Sequence, residues 1–292
     1  MKKIFYLFGL LSFGLFSCQE VNDLVQLAPP AGANDQLTLD STKYSAVAAQ
    51  SKNVLIEDFT GVHCDNCPNA QAMAISIENA NPGRVSVIGI HCTTTFGYPF
   101  PGHTDYRTTN GTNLVSYLIG TPGSLPTGDI DRTIIPFYTP AAIQVPYVTW
   151  PTYVDSFLKY KTPKAAITFN NKKYDAGSRT LSMDITTSFV QASPDTFYVS
   201  AALIEGGFVD WQETTSGVNE NFVFEHVLRK LMNPYNGLNI ANSPTAGSTY
   251  SVKFTTVLAP TWNADSCKIV AFVHHRSTTS NAVEQVYQST VK

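Results

Sequence analysis

An α/β domain followed by an all-β sandwich is the fold class this sequence predicts, and three observations carry it. A strand–helix–strand run occupies residues 53–91, with Cys64 and Cys67 at its first strand-to-helix junction. Beyond Thr162-Pro163 the helical spacing gives way to two-residue alternation in seven separate stretches. Between these regions, prolines break up a partly helical segment.

The chain starts with Lys2 and Lys3 and an apolar run from Ile4 to Phe16. That run has about the length of a signal-peptide core and is too short to span a bilayer as a helix. Its exit, "LFSC", lacks the small-x-small pattern of an ordinary cleavage site and resembles the lipobox of bacterial lipoproteins. The resemblance implies that residues 1–17 are removed and that Cys18 becomes the lipidated first residue. Several acyl chains hold a protein firmly where one holds weakly. The plainer alternative is a secretory peptide with a chance cysteine. Residues 18–52, rich in small and polar residues and containing Pro29-Pro30, read as a tether and surface cover.

No later stretch is apolar enough to cross a membrane as a helix. The composition, 43% hydrophobic with 14% charged and a net charge of -3, fits a soluble body. The roughly 275 residues after the leader make one large or two ordinary domains. There is no basic tract, which argues against a nucleic-acid partner.

"NVLIEDFTG" is a strand candidate. "PNAQAMAISIENANPG" follows with Ala70, Met73, Ile77 and Ala80 at helical intervals, Pro68 in the first turn and Pro82-Gly83 as the stop. "RVSVIGIH" reads as a central parallel strand. A loop with a short helix at Asn113 to Ile119 leads to the turn-rich "TPGSLPTGDIDR" and a short strand. Residues Thr133 to Tyr160 read as helical in parts, at "PAAIQVPYV" and "PTYVDSFLKY". The domain boundaries are therefore 53–162 and 163–292. In the second domain "AAITFN", "TLSMDITTSF", "TFYVSAALIE", "FVFEHVLRKLM", "TYSVKFTTVLA", "CKIVAFVHH" and "AVEQVYQ" are the strand candidates, a sandwich of roughly 130 residues. "FEHVLRKLM" also fits a short helix. "FVDWQETTSG" reads as a loop and a candidate partner surface, while most of the aromatics around it read as core.

The Cys pair carries the chemistry. Thiols in the first turn of a helix face unpaired N–H groups and a partial positive charge, which lowers their pKa. Cys64 would be the attacking thiol and Cys67 the resolving one. His63, when protonated, favours the Cys64 thiolate, and Asp65 opposes it. Two rivals stand beside this reading. One is a structural disulfide, expected of neighbouring cysteines outside the cytoplasm. The other is a metal site adding His91, Cys92, His63 or His103, although "HC" at residues 91 and 92 is not a second Cys-x-x-Cys. Cys92 and Cys267 either pair across the domains or stay free as buried small residues. His226, His274 and His275 form no recognisable site. Glu57 and Asp58 are adjacent in a strand and face opposite sides, so they do not act as a pair. No nucleophile elbow, phosphate-binding glycine loop or zinc-protease motif occurs.

"VLIEDFTGVHCDNCPNA" resembles the strand–loop–helix of the thioredoxin superfamily. The resemblance implies that Asp58, six residues before Cys64, is the buried acid that assists deprotonation of the resolving thiol. It also implies that Pro126, in Leu125-Pro126-Thr127, is the cis-proline that shapes the peptide-binding side. The chain departs from the family pattern at His63, where a tryptophan is usual, and at Asp65-Asn66, where Gly-Pro is usual. The chain as a whole is similar to the twenty-eight-kilodalton outer membrane protein family, lipoproteins of Bacteroidota-type bacteria. "LIEDFTGVHCDNCPNA", "GSLPTGDIDR" and "EHVLRKLMNPYNG" carry that similarity. It implies a thioredoxin-like domain followed by an immunoglobulin-like sandwich, and a lipid-anchored location at the outer membrane. The expected activity is exchange of thiols and disulfides with a protein partner, with no dissociable cofactor. The alternative is a binding or scaffold lipoprotein with a structural Cys64–Cys67 disulfide.

Overall fold

Strands that are apolar on both faces need cover on both faces, and that requirement organises this molecule. The structure, a computed structural model, describes residues 38–40, 44–135, 143–277 and 280–292. Cys18 and the leader lie outside the described residues. The first half contains β1 (Thr38–Asp40), β2 (Val54–Thr60), α1 (Cys67–Ala80), β3 (Val85–His91), α2 (Thr109–Ile119), β4 (Thr127–Ile130), β5 (Gln144–Val145) and α3 (Trp150–Tyr160). The second half contains β6 (Ala165–Asp175), β7 (Thr180–Phe189), β8 (Thr196–Glu205), β9 (Phe208–Thr214), β10 (Gly217–Phe224), β11 (Val227–Leu231), β12 (Leu238–Asn242), β13 (Thr249–Val257), β14 (Cys267–His275) and β15 (Val283–Thr290). The protein is mostly β, with few helices.

A nine-stranded sheet runs β15-β14-β8-β11-β3-β2-β4-β5, with β12 also paired to β8. A four-stranded sheet, β1-β13-β7-β6, packs against its C-terminal part, and β9 and β10 form a separate two-stranded hairpin. The large sheet crosses residue 162. Parallel β2 and β3 join the C-terminal strands where Val227 of β11 meets Gly89 of β3.

Alternation assigns the faces. On β8 and β14, Phe197, Val199, Ala201, Leu203, Ile269, Ala271 and Val273 face the four-stranded sheet, making the sandwich core. Their neighbours Ala202, Ile204, Val270 and Phe272 turn to the other side. There they share a core with Leu55 and Phe59 of β2, Ile88 and Ile90 of β3, and Leu114 and Val115 of α2. The opposite face of β2 and β3, through Val54, Ile56, Val85 and Val87, is covered by α1 and α3.

The helices follow from local sequence. Ala70, Ala74 and Ile77 recur on the buried side of α1, whose first turn holds Pro68. Thr108 caps α2, its hydroxyl accepting from the Gly111 N–H at 2.9 Å, and Gly120 at φ +72° ends it. Trp150, Val154 and Phe157 recur on the buried side of α3. Trp150 is fully buried, and its indole N–H donates to the Val145 carbonyl at 3.2 Å.

Charge is buried at the seam. Arg132 forms a two-pronged pair with Glu57, at 2.6 and 2.7 Å, and lies over the Phe272 ring. Lys52 pairs with Asp131 at 2.9 Å and donates to the Val283 carbonyl. Residues 38–40 and 44–52 lie along the body. β1 pairs with β13, the Val47 N–H donates to Ser188, and Gln50 bonds the backbone of Ile167 in both directions.

The strand candidate "FVFEHVLRKLM" is the end of β10, a break at Glu225-His226 and then β11, not the alternative short helix, and a register shift between Leu228 and Lys230 stretches its apolar spacing to a helix-like interval. Two local expectations change. The described part of "PAAIQVPYV" is a two-residue strand and a single 3-10 turn, since Pro146 interrupts it. "FVDWQETTSG" is not a loop: it is β9 and the turn into β10, where Gly217 takes φ +100°.

Candidate functional site

β2 and α1 place the Cys pair as the sequence spacing requires. The Cys64 N–H donates to the Gly61 carbonyl and the Cys67 N–H to the Cys64 carbonyl, which turns the chain into α1. Cys64 and Cys67 form a disulfide, with Cα atoms 5.3 Å apart. Gly61 is needed here: a Cβ on it would lie 2.4 Å from the Phe96 carbonyl oxygen. That close approach lets the His63 N–H donate to the same oxygen at 2.8 Å.

A small polar cleft lies beside the disulfide. Asp58, Thr60, Gly89 and His91, on one face of β2 and β3, form its floor, with Cys67, Pro68 and Gln71 of α1 at the side. Gln212, Phe222, Phe224 and Glu225 close it from above. Burial raises the Asp58 carboxyl to about 7. One of its oxygens has no hydrogen-bond partner, and both ring nitrogens of His91 are likewise unpartnered. Burial, then the Arg229 charge, lowers His91 to about 3, so the ring is neutral. Burial, then Asp58, pushes the Cys92 thiol up to about 12. Among the described residues, no group of three or more His, Cys, Asp and Glu is arranged to hold a metal ion.

The β9–β10 hairpin covers the disulfide. The Gln212 side-chain amide donates to the carbonyls of Cys64 at 3.0 Å, Glu213 at 2.9 Å and Gly61 at 3.3 Å. The Glu213 N–H donates to Val62, and the Glu213 carboxylate meets His63 Nδ1 at 3.3 Å. Gln71 of α1 donates to the Val223 carbonyl and accepts from the Glu225 N–H. The segment after β3 braces the outer side. His63 stacks on Tyr98 and packs on Phe100, while Trp211 packs on Phe100 and His103. Asp210 accepts from Tyr106 and meets His103 Nδ1 at 2.5 Å. Under this cover Cys64 and Cys67 are each only 2% exposed.

The sequence-derived residues are thus partly assembled. Asp58 and Cys67 share the cleft, and Cys64 is bonded to Cys67. The Leu125–Pro126 bond is cis, and Pro126 stands one residue before Thr127, which pairs with Phe59 across β2 and β4. Pro126 is not among the cleft-lining residues. Cys92 and Cys267 do not pair: both are free and buried, the second of the two alternatives for them. Each is an apolar-side residue packed into a different core. Gln212 lies in "FVDWQETTSG", marked in the sequence as a candidate partner surface, but nothing in the spacing tied it or the roof phenylalanines to Cys64, which lies far along the chain. His91 stood out as a strand-end residue next to Cys92 and as a candidate ligand of the rival metal site.

Comparison with known proteins covers most of this architecture. The solved structure of HBP35 of Porphyromonas gingivalis is similar with a TM-score of 0.64 at 16% identity, covering 84% of this chain and 76% of that one. A structural-genomics protein from Agrobacterium tumefaciens is similar with a TM-score of 0.51 at 13% identity, covering 84% of this chain and 97% of that one. At these identities the likeness is one of fold. No curated protein matches the sequence. The profile of the outer membrane protein Omp28 family matches residues 118–292, more than half of the chain. That match includes Pro126 and the β9–β10 hairpin and begins beyond Cys64 and Cys67. Among the described residues no helix is long and apolar enough to cross a membrane. On the strength of that match, the chain belongs to the outer membrane protein Omp28 family.

Proposed function

We propose that this outer-membrane protein is a lipid-anchored lipoprotein, held through Cys18, whose Cys64–Cys67 pair exchanges thiols and disulfides with protein partners. On this reading residues 53–162 are a thioredoxin-like domain with a helical insert, and residues 163–292 are an immunoglobulin-like sandwich. The β2–α1–β3 order, the disulfide at the start of α1 and the cis bond at Pro126 support it.

The single observation that carries the reading is Asp58. A buried carboxyl with an unpartnered oxygen is costly, and a disulfide acting only as a staple has no use for one. Beside Cys67 it has a task. Starting from the oxidised pair, a partner thiolate attacks Cys64 Sγ, forming a mixed disulfide and breaking the Cys64–Cys67 bond. Cys67 leaves as a thiolate and takes the proton from Asp58. A second partner thiolate then attacks the partner's own sulfur in the mixed disulfide and releases Cys64 as a thiolate. The partner gains a disulfide and loses two electrons to the Cys pair. In the reverse direction Asp58 takes the Cys67 proton as Cys67 resolves the mixed disulfide.

A second reading, a scaffold or binding lipoprotein with a structural disulfide, is favoured by the burial of Cys64 beneath the hairpin. The reduction potential separates the two. In defined glutathione or dithiothreitol buffers, with alkylation and peptide mapping, exchange predicts a potential between roughly -270 and -120 mV with Cys64 alkylated first. A value below roughly -300 mV, or an unreactive Cys64 after reduction, would establish the staple instead.

A further inference from the structure

Gln212 is 2% exposed, and its amide nitrogen serves three carbonyls. Two of them, Gly61 and Cys64, belong to the turn that presents the disulfide. A buried amide is tolerated only when its hydrogen bonds are made, so this side chain and this turn fix each other. The hairpin that delivers Gln212 pairs with no strand of either sheet. It is held to the rest of the site by the Glu213–Val62 backbone bond, the Gln71 bonds, the His63–Glu213 contact and the Asp210 bonds to His103 and Tyr106, and by packing of Trp211 on Phe100 and His103 and of Phe208 and Phe224 on Tyr106. Its outer side is open, with Val209, Val218 and Val223 each about half exposed. Lifting the hairpin would therefore break no strand ladder of the two main sheets, yet it would uncover the disulfide.

We infer that Gln212 is a positioning residue for the disulfide. It clamps the Gly61 and Cys64 carbonyls and holds the β9–β10 hairpin over Cys64, so that a partner thiol reaches Cys64 Sγ only after the clamp is released. This rests on the exchange reading above. The clamp makes partner access a property of the hairpin as well as of the Cys-x-x-Cys segment. A partner that engages β9–β10 gains access, and a thiol that does not is slowed.

The test compares the full oxidised chain with Gln212→Met, which keeps the bulk and removes the donors. Reduction of Cys64–Cys67 by glutathione is followed in time, as is alkylation of Cys64 by iodoacetamide after reduction. Losing one hydrogen bond's worth of closing free energy should speed both about tenfold. Cys92 and Cys267 should stay unreactive, because loosening of the whole fold would expose them too. Asp210→Asn, which frees the hairpin at its other anchor, should speed the same reactions at least threefold. It serves as the deciding variant if Gln212→Met does not fold. Unchanged rates in the folded variant would overturn the clamp, as would a gain matched by alkylation of Cys92 and Cys267. The wild-type potential, measured in the same buffers, judges the exchange reading separately. A potential below roughly -300 mV, with rates that still respond to Gln212, would reject exchange and keep the clamp.

Discussion

At Asp58, burial sets both the chemistry and a pH-dependent contribution to stability. The folded-state value of about 7 lies above the ordinary 3.8. Between those values the folded chain keeps a proton that the unfolded chain has released. The stability this supplies is complete below pH 3.8 and is lost as pH rises through 7, by about 1.4 kcal/mol per pH unit. Asp58→Asn has no such loss. Urea denaturation of the oxidised protein should show the variant gaining about 4 kcal/mol on wild type between pH 4 and pH 8. An equal difference at both pH values would place the carboxyl in a solvated site. His91 has the opposite sign. Its value is lowered to about 3, so the stability it supplies is present above its ordinary 6.5 and is lost as pH falls toward 3.

At the scale of elements, β2 and the turn after β4 are joined by charge as well as by the sheet. Glu57 is fully buried and its carboxylate is held by Arg132, which is 1% exposed. The Arg132 backbone N–H also donates to Asp129. Breaking such a pair from one side leaves the other charge buried and alone. Arg132→Met should cost about 3–5 kcal/mol in equilibrium unfolding. Replacing both partners, as Glu57→Gln with Arg132→Met, should recover a large part of that loss. A single substitution that changes little would mean that water reaches Glu57. The hairpin is the contrasting element. It rests on side-chain bonds and aromatic packing, so its attachment can change without loss of the sheets.

For the whole molecule, the shared core on the α2 side of the large sheet is decisive. Leu55, Phe59, Ile88 and Ile90 from the N-terminal half pack with Ile204, Leu228, Phe272 and Val286 from the C-terminal half. With the strands also hydrogen-bonded across β3 and β11, the two halves should unfold together. Phe272→Ala removes a fully buried ring from this core and should cost about 3–5 kcal/mol while leaving a single thermal transition. Two separated transitions, with only the later one moved by the substitution, would mean that the halves are held apart energetically despite the common sheet.

By itself the sequence determined the local features that depend on near neighbours. Alternation marked the β-rich half, helical spacing marked α1, and the order of "EDF", "HCDNC" and "LPT" marked where thiol chemistry would be carried. The described part of "PAAIQVPYV" departs from a helix and "FVDWQETTSG" from a loop because proline and a tight turn override short apolar patterns, and because strand pairing depends on distant partners. Only the tertiary structure decided that β11 docks beside β3, that Cys92 and Cys267 go to separate cores, and that Gln212 closes over Cys64. Those outcomes rest on contacts between residues far apart along the chain. No periodicity encodes them, because burial and hydrogen-bond satisfaction are settled only when the two halves pack.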